Sequence, residues 1–273
     1  MTTRAGSLAF VTLFALFSCT RKHVREQSVA ELPYPGCEAG APARALEVAY
    51  RSGKGSLERD VTERFELGRD ACGQLVATTH QEWRLSVDDV EVIFDREGLP
   101  SRAWKRMTIP GSSRPDGHAD VRRYELRTPE VTIKRRTAEG EIIFERLLPG
   151  GRAKDEGVHG TRPTAVVGPG RGLLTVWLQR VKLPVGGKAR EWVLDCRDMV
   201  EKVQLATLVR DADRFDPGLN RNVRVYTLYG RESVFADERD VVIGDLGGLV
   251  RDEALEGRPF AHRFGAPDPV RTP

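Results

Sequence analysis

Alternation of apolar and polar residues along residues 45–148 constrains the fold more than any other feature of this chain. The clearest stretch covers residues 79–87, where Trp83, Leu85 and Val87 alternate with charged or polar neighbours. A period of two residues puts the apolar side chains on one face of a β-strand and the polar side chains on the other. Short links that contain glycine or proline separate several such stretches, so the sequence predicts a long antiparallel meander.

One segment departs from this pattern and has the spacing of a helix. Within residues 171–182 the apolar residues fall one and three positions apart, which places them in a single stripe along an α-helix. They are Leu173, Leu174, Trp177, Leu178 and Val181. Pro184 and the pair Gly186 and Gly187 end the helix. A stripe of this kind is typical of core packing rather than of a cofactor site.

Strand-like patterns resume after this helix and continue to about residue 243. The sequence therefore predicts a mainly β protein. We expect one long, curved antiparallel sheet, a half-barrel or open barrel, with the amphipathic helix packed against its concave side. The β-rich domain is expected to cover residues 45–250, followed by a C-terminal tail at residues 251–273.

The overall charge of the chain is close to balance. Its 273 residues include 43 lysines and arginines and 40 aspartates and glutamates, and charged residues make up 30% of the sequence. Nucleic-acid-binding domains usually carry a concentrated basic surplus, so the composition predicts no nucleic-acid partner.

The N-terminus carries the most specific motif of the chain. Arg4 precedes an uncharged apolar stretch at residues 8–17, and this stretch ends in Leu16-Phe17-Ser18-Cys19. A membrane-spanning helix needs about 20 apolar residues, so this stretch is too short to span a bilayer. The segment resembles the signal peptide of bacterial lipoproteins. The resemblance implies that residues 1–18 are removed and that Cys19 becomes an acylated N-terminus that anchors the chain to a membrane. Ordinary secretion is the alternative, because Phe17 is bulky for this motif.

Residues 19–44 are predicted to form the lipid-attachment site and a flexible tether. The tether is indicated by three prolines, two glycines and little hydrophobic periodicity. The lipoprotein resemblance implies a location in the cell envelope, facing the periplasm. Thr20 follows Cys19 where a retained inner-membrane lipoprotein would carry aspartate, which favours the outer membrane. The expected partners are therefore the membrane, through the N-terminal lipid, and either a lipid or apolar ligand or another envelope protein.

Four cysteines are present: Cys19, Cys37, Cys72 and Cys196. If Cys19 is acylated, three remain, which allows one disulfide and one free thiol in an oxidising compartment. Cys37 and Cys72 lie in turn-like settings and are the expected pair. Cys196 lies inside an apparent strand that covers residues 192–196, where a buried free cysteine is the ordinary expectation.

The sequence offers no candidate catalytic residue. It lacks the GxSxG and HExxH motifs, and its five histidines are scattered singly, so we expect no metal and no cofactor. The glycine-rich stretch at residues 168–172 precedes the helix, where free amides can hold an anion, but a flexible lead into the helix is the simpler interpretation. The acidic run that contains Asp237 and Asp240 is better explained by a charged hairpin than by calcium.

The order of many antiparallel strands, one amphipathic helix and further strands resembles the half-barrel folds of periplasmic lipoproteins and lipoprotein carriers of the LolA and LolB kind. The resemblance covers residues 45–250, is architectural, and transfers no functional residue. It implies a binding or structural role for an envelope lipoprotein. An envelope hydrolase, with its residues assembled from distant strands, is the alternative.

Overall fold

The computed structural model describes residues 43–53, 60–70, 73–109, 118–137, 140–149, 161–197, 200–217, 219–245 and 248–255. The expected signal peptide at residues 1–18, the expected lipidation site Cys19, and the expected disulfide between Cys37 and Cys72 lie outside these residues. No helix within the described ranges has both the length and the apolar character needed to span a bilayer.

Eight antiparallel strands form the first half of the sheet. Each pairs with the next along the chain. They are β1 (Ala43–Ser52), β2 (Thr62–Arg69), β3 (Leu75–Glu82), β4 (Val87–Phe94), β5 (Pro100–Ile109), β6 (His118–Glu125), β7 (Val131–Arg136) and β8 (Ile142–Leu147).

The second half begins with a short strand and the helix. These are β9 (Ala165–Val167) and α1 (Leu173–Val181). The remaining strands are β10 (Lys188–Asp195), β11 (Lys202–Arg210), β12 (Arg214–Asp216), β13 (Arg221–Leu228), β14 (Glu232–Ala236), β15 (Val242–Asp245) and β16 (Leu249–Arg251), and a single 3-10 turn covers Glu253–Leu255.

All sixteen strands join one open sheet, and the two halves meet at β1. The order is β8-β7-β6-β5-β4-β3-β2-β1-β16-β15-β14-β13-β11-β10-β9, with β12 paired to β13. Among these strands β9 and β10 run parallel, because the helix returns the chain between them, and the other pairs are antiparallel. The predicted mainly β fold with one long curved antiparallel sheet and one helix is confirmed.

The helix lies against the inner side of the curved sheet and contacts β9 and β3. Six consecutive residues from Leu173 to Leu178 are buried, so the helix is enclosed on more than the predicted stripe. Trp177 is 1% exposed and is among the largest fully buried side chains. The predicted helix at residues 171–182 is confirmed, and the prediction that its stripe serves the core is confirmed as well.

The strand register separates the inner face of the sheet from its outer face. Phe65 of β2 packs against Gly172 at the start of the helix, so it marks the inner face. Residues directly opposite one another in an antiparallel pair share a face. The residues aligned with Phe65 across the next strands are Thr79, Val90, Lys105, Arg122 and Arg135.

The neighbouring inner rows differ in character. One contains Leu67, Ala77, Val92, Ala103, Tyr124 and Ile133, all buried. The row on the other side contains Glu63, Gln81, Asp88, Met107 and Asp120. The inside of the sheet is therefore apolar at one end and charged at the other.

The prediction of a single strand over residues 79–87 is wrong. β3 ends at Glu82 and β4 begins at Val87, and the amide of Trp83 donates to the carbonyl of Ser86 (2.8 Å) in the turn between them. Leu85, at the tip, is 75% exposed. The alternation continues in phase through this short link, so the period alone does not reveal where the chain reverses.

Candidate functional site: a charged cleft beside the start of the helix

The loop of residues 168–172 is pressed between the sheet and the chain that follows β10. A Cβ atom on Gly172 would lie 2.2 Å from Cγ of Phe65, and one on Gly170 would lie 2.6 Å from Cγ2 of Thr79. These distances are far inside van der Waals contact, so both positions require glycine. The glycines serve close packing here, and the expected flexible lead into the helix is replaced by a tightly held one.

A carboxylate from β2 accepts hydrogen bonds from the backbone amides at the start of the helix. Glu63 is fully buried, and it accepts hydrogen bonds from the amides of Gly172 (2.8 Å) and Arg171 (2.9 Å) and from Nε2 of Gln81 (3.3 Å). Helix N-termini stabilise negative charge through such amides. The anion that the loop can hold is thus supplied by the protein itself.

Burial controls the protonation of this carboxylate. Loss of solvent raises the pKa of Glu63 to about 7, although the amides of Gly172 and Arg171 and the guanidinium of Arg171 act in the opposite direction. The residue is 0% exposed, so it stabilises the loop behind the site and does not face a ligand.

A cleft of about 570 Å³ opens on the other side of this loop. Its walls come from the loop itself, from the ends of β10 and β11, from the link between β13 and β14, and from the ends of β3 and β15. The charged residues that line it are Arg171, Asp195, Arg197, Lys202, Arg231, Glu232 and Asp245.

Asp195, the last residue of β10, is the most heavily bonded group of the cleft. Its carboxylate accepts from Nη2 of Arg197 (2.7 Å), Nε2 of Gln204 (2.7 Å) and the hydroxyl of Tyr229 (3.0 Å). Burial alone would raise the pKa of Asp195, but the hydrogen bonds and charge of Arg197 outweigh it and hold that pKa below its usual value. Asp195 is therefore a fixed anion.

The two inner arginines of the cleft are held in the same way. Arg197 pairs with Glu232 as well as Asp195 and stacks over the ring of Tyr229 at 4.9 Å. Arg171 pairs with Asp245 and donates to the carbonyl of Pro169 (3.2 Å). The inner wall consequently presents charges of both signs in rigid positions.

Two cations stand at the outer part of the cleft. The side chain of Arg231 is 78% exposed, and Lys202, at the start of β11, is also exposed. Nε of Arg231 lies 3.7 Å from Glu232. Both side chains are in contact with solvent, so a ligand that enters the cleft meets Arg231 and Lys202 first.

A second group of charges lies buried on the inner face of the sheet. Arg122 pairs with Glu201 and, through Nη2, with Asp120 at 3.1 Å. Glu201 also accepts from the hydroxyl of Tyr124 (2.9 Å), and Nζ of Lys105 lies 3.9 Å from it. Each of these five residues is at least nine-tenths buried. The group ties β5 and β6 to the segment between β10 and β11.

Cys196 lies beside this buried group. It is a buried free cysteine, as expected, and its carbonyl accepts from Nζ of Lys105 at 3.0 Å. Burial raises the pKa of the Cys196 thiol to about 12, so the thiolate form that acts as a nucleophile is suppressed.

The remaining polar motifs have structural explanations. Among the described residues, no three His, Cys, Asp or Glu side chains converge as a metal site. His80 lies on the outer face, with Nδ1 at 2.6 Å from Asp89 and Nε2 at 3.1 Å from Glu82. Asp237 accepts from the amides of Arg239 and Val241, both at 2.9 Å, which confirms the charged hairpin between β14 and β15.

Sequence reasoning singled out the glycine-rich loop at residues 168–172, which lines the cleft, but not Asp195, Tyr229 or Glu63. One signal for Glu63 is present in the strand pattern, because it shares the inner phase of β2 with Phe65 and Leu67, where an apolar residue is expected. A charged residue in the apolar phase marks a position where the interior must supply hydrogen bonds. Asp195 and Tyr229 carry no comparable signal, since each lies at the end of a strand.

Comparisons with known proteins give fold resemblances alone. No family model matches the chain, and no curated protein matches it. A crystal structure of a DUF1089 family protein from Pseudomonas aeruginosa is similar at 14% identity and a TM-score of 0.36, over 82% of this chain and 97% of that one. A β-barrel-like protein of the domain of unknown function DUF1849 from Brucella abortus is similar at 11% identity and a TM-score of 0.37, over 77% of this chain and 91% of that one.

Proposed function

We propose that this chain is a lipid-anchored protein of the cell envelope whose folded unit binds a polar partner in the charged cleft. The sheet then acts as a filled scaffold and not as a container for an apolar ligand. The observation that carries the proposal is the position of the helix on the inner face of the sheet.

Beside the helix, the cavity that the described residues enclose is too small for a lipid. The cavity bounded by Phe94, Val166, Leu173, Val176 and Trp177 holds about 10 Å³, the room of a single water molecule. Sites for small organic ligands enclose about 300–1,000 Å³. An acyl chain would enter this part of the sheet only if the helix left it, and the helix buries six consecutive residues there.

The charged cleft has the size and the chemistry of a binding site. Its volume of about 570 Å³ falls within that range for ligand pockets. Paired groups such as Asp195 with Arg197 and Arg171 with Asp245 are already fixed in place, so a polar partner is bound without ordering the wall. We infer that the partner carries hydrogen-bonding groups of both polarities, as a peptide segment of an envelope protein does.

The hydrolase alternative has less support from the described residues. Glu63 has a pKa raised to about 7 but is completely enclosed, and the thiol of Cys196 has a pKa raised to about 12. Asp195, which does line the cleft, has a lowered pKa and accepts bonds from three side chains. A general acid or base needs both a matched pKa and access to substrate.

The anchor is tested by a Cys19→Ala variant expressed from the full chain. We expect loss of acylation by intact mass. The matched control is Cys196→Ala, a buried cysteine that should leave acylation unchanged. Continued acylation of Cys19→Ala would overturn the anchor.

The filled interior is tested by native mass spectrometry of the protein extracted from membranes. We expect the mass of the acylated chain without a further lipid in stoichiometric amount. A stoichiometric phospholipid that survives extraction would overturn the scaffold and restore an apolar carrier.

The cleft is tested by site-specific photocrosslinking in intact cells, with the crosslinker placed at Arg231 or, as a matched exposed control, at Lys188. We expect one discrete protein adduct from position 231 and none from position 188. Equal adducts from both positions would contradict binding in the cleft.

A further inference from the structure

We infer that the outer face of strands β5–β8, here called the basic face, docks on the surface of an anionic phospholipid bilayer. The inference deepens the proposed function, and it rests on that function for the anchor that holds the chain beside a membrane. The basic face points away from the helix and is separate from the charged cleft.

Cations dominate the basic face. The strand register places six lysines and arginines on the outer side of these four strands against one glutamate, Glu125. The six are Arg102, Arg106, Arg123, Lys134, Arg136 and Arg146. The whole chain has a formal charge of only +3, so this concentration is local.

Acidic residues near the face neutralise only a part of it. On the adjacent strand β4, Asp89 aligns with Arg106 and Glu91 aligns with Trp104. Arg102 lies 3.7 Å from Glu125, and Arg146 lies 3.1 Å from Glu130 at the start of the β7 region. The side chain of Arg146 is nevertheless 76% exposed. A surplus of positive charge therefore remains across neighbouring strands, where a planar array of lipid phosphates complements it.

Apolar groups stand beside these cations at the edge of the sheet. Phe144 of β8 is 67% exposed, and Leu148, just after the same strand, is 68% exposed. Lys134 lies over the Phe144 ring at 5.4 Å. An aromatic ring next to a lysine suits the interface of a bilayer, where the ring enters the headgroup layer and the ammonium group meets phosphate.

The same face is a poor match for single-stranded nucleic acid. Nucleic-acid platforms stack bases on open aromatic rings. Trp104 aligns with Arg123 on this face, and the guanidinium covers its ring at 4.1 Å. Because the Arg123 guanidinium covers Trp104, Phe144 is the one exposed aromatic ring on the described part of this face, and a single ring does not form a stacking platform.

The proposed tether has enough length for this docking. Cys19 and Ala43, where β1 begins, are separated by 23 residues. A chain of that length spans at most about 80 Å when fully extended, which exceeds the dimensions of a domain of this size. The anchor therefore allows any face of the folded unit to reach the membrane, and charge selects which face does.

The test uses the mature chain, residues 19–273, with Cys19→Ala so that no acyl group contributes. Sedimentation with vesicles of phosphatidylcholine mixed with phosphatidylglycerol should pellet the chain, and vesicles of phosphatidylcholine alone should bind it at least about tenfold more weakly. High salt should release it, since screening shortens the reach of surface charge. Equal binding to both vesicles would overturn the inference.

The face is identified by a matched pair of triple variants. Lys134→Gln, Arg136→Gln and Arg146→Gln together should weaken binding to anionic vesicles about tenfold or more. The control combines Lys182→Gln, Lys188→Gln and Arg190→Gln, which remove the same charge from exposed positions elsewhere, and it should bind as the parent does. An equal loss in both variants would show binding without a specific face and would contradict the inference.

Two further measurements separate the remaining outcomes. Phe144→Ser, which keeps every charge, should also weaken binding to anionic vesicles, and circular dichroism should show that each variant is folded. If a single-stranded oligonucleotide binds this face and anionic vesicles do not, the inference is wrong. The chain tested on vesicles carries no lipid, so a lack of vesicle binding contradicts the basic face and not the Cys19 anchor. The anchor is contradicted only by the acylation measurement.

Discussion

The carboxylate of Glu63 accepts a hydrogen bond of 2.8 Å from the amide of Gly172, 109 residues later in the chain. The bond joins β2 to the start of the helix. It fixes the back of the charged cleft, because the neighbouring Arg171 donates its own amide to the same carboxylate and turns its side chain toward Asp245.

Removal of this carboxylate should destabilise the fold. Glu63→Ala leaves two buried amides without their acceptor, and we expect a loss of about 1–3 kcal/mol in the free energy of unfolding. Urea denaturation measures it. The control is Glu125→Ala on β6, whose side chain is 59% exposed and which should change stability by less than about 0.5 kcal/mol. A similar loss in both variants would argue against a special role for Glu63.

The same carboxyl should make stability depend on pH. Burial raises the pKa of Glu63 from 4.5 to about 7, so the folded state holds the proton more tightly than the unfolded chain. The contribution of Glu63 to the free energy of unfolding is full below pH 4.5 and declines as the pH rises through about 7. The decline is bounded by about 3 kcal/mol.

This pH dependence is isolated by comparison with Glu63→Gln, which does not titrate. We expect the difference in unfolding free energy between the parent and the variant to change across that pH interval. Other titrating groups, such as His80, cancel in the difference. A difference that stays constant over the interval would refute the raised pKa.

Close packing of the loop should be visible at Gly172. A Cβ atom there would lie 2.2 Å from the Phe65 ring, so Gly172→Ala should destabilise the fold by about 1–3 kcal/mol through overpacking. Phe65→Ala removes Cγ and Cδ2, two of the three atoms closest to the added Cβ. In a double-mutant cycle the two changes together should cost less than the sum of their separate effects, and simple additivity would contradict the contact.

The buried charges on the inner face should be far more sensitive than charges at the surface. Glu201→Ala removes an acceptor of Arg122 and Tyr124 within the interior, and we expect a loss of about 3 kcal/mol or more by chemical denaturation. Glu130→Ala breaks an exposed pair with Arg146 and should cost less than about 1 kcal/mol. Comparable losses would mean that the inner pair is solvated.

Cys196 should resist alkylation until the protein unfolds. Its thiol is 1% exposed, and burial raises its pKa to about 12. Iodoacetamide labelling followed by peptide mass mapping should find Cys196 unmodified in the native protein and modified in urea. Rapid labelling of the native protein would show that this region opens.

The sequence reveals the class of fold because strand and helix periods are local properties. Residues 171–182 contain a helical stripe that the structure places at Leu173–Val181, and β4 and β7 follow apolar patterns that are visible along the chain. The turn at Trp83 escapes the same reasoning because alternation stays in phase across it.

The cleft could not be derived from local pattern, since its groups meet only through the order of the strands. Asp195 ends β10, and Tyr229 follows β13. Both strands pair with β11, one on each side, and the hydroxyl of Tyr229 donates to Asp195 across that strand. Periodicity says which face a residue occupies and does not say which distant strand lies beside it. Glu63 could be predicted in part. A charged residue on the apolar side of β2 indicates that a buried partner exists, but the sequence does not identify that partner as Gly172.

The pairing of β1 with β16 means that the first strand of the chain gains its second neighbour in the sheet last. β1 starts at Ala43 and lies in the middle of the sheet, and Tyr50 aligns with Arg251 near the end of the described residues. As the chain emerges from its N-terminal side, the first eight strands can pair successively, but the free edge of β1 stays open until β16 is available. Some 200 further residues must therefore emerge before the first strand has both neighbours, and a chain that stops before β16 leaves an exposed strand edge that is able to pair with other chains.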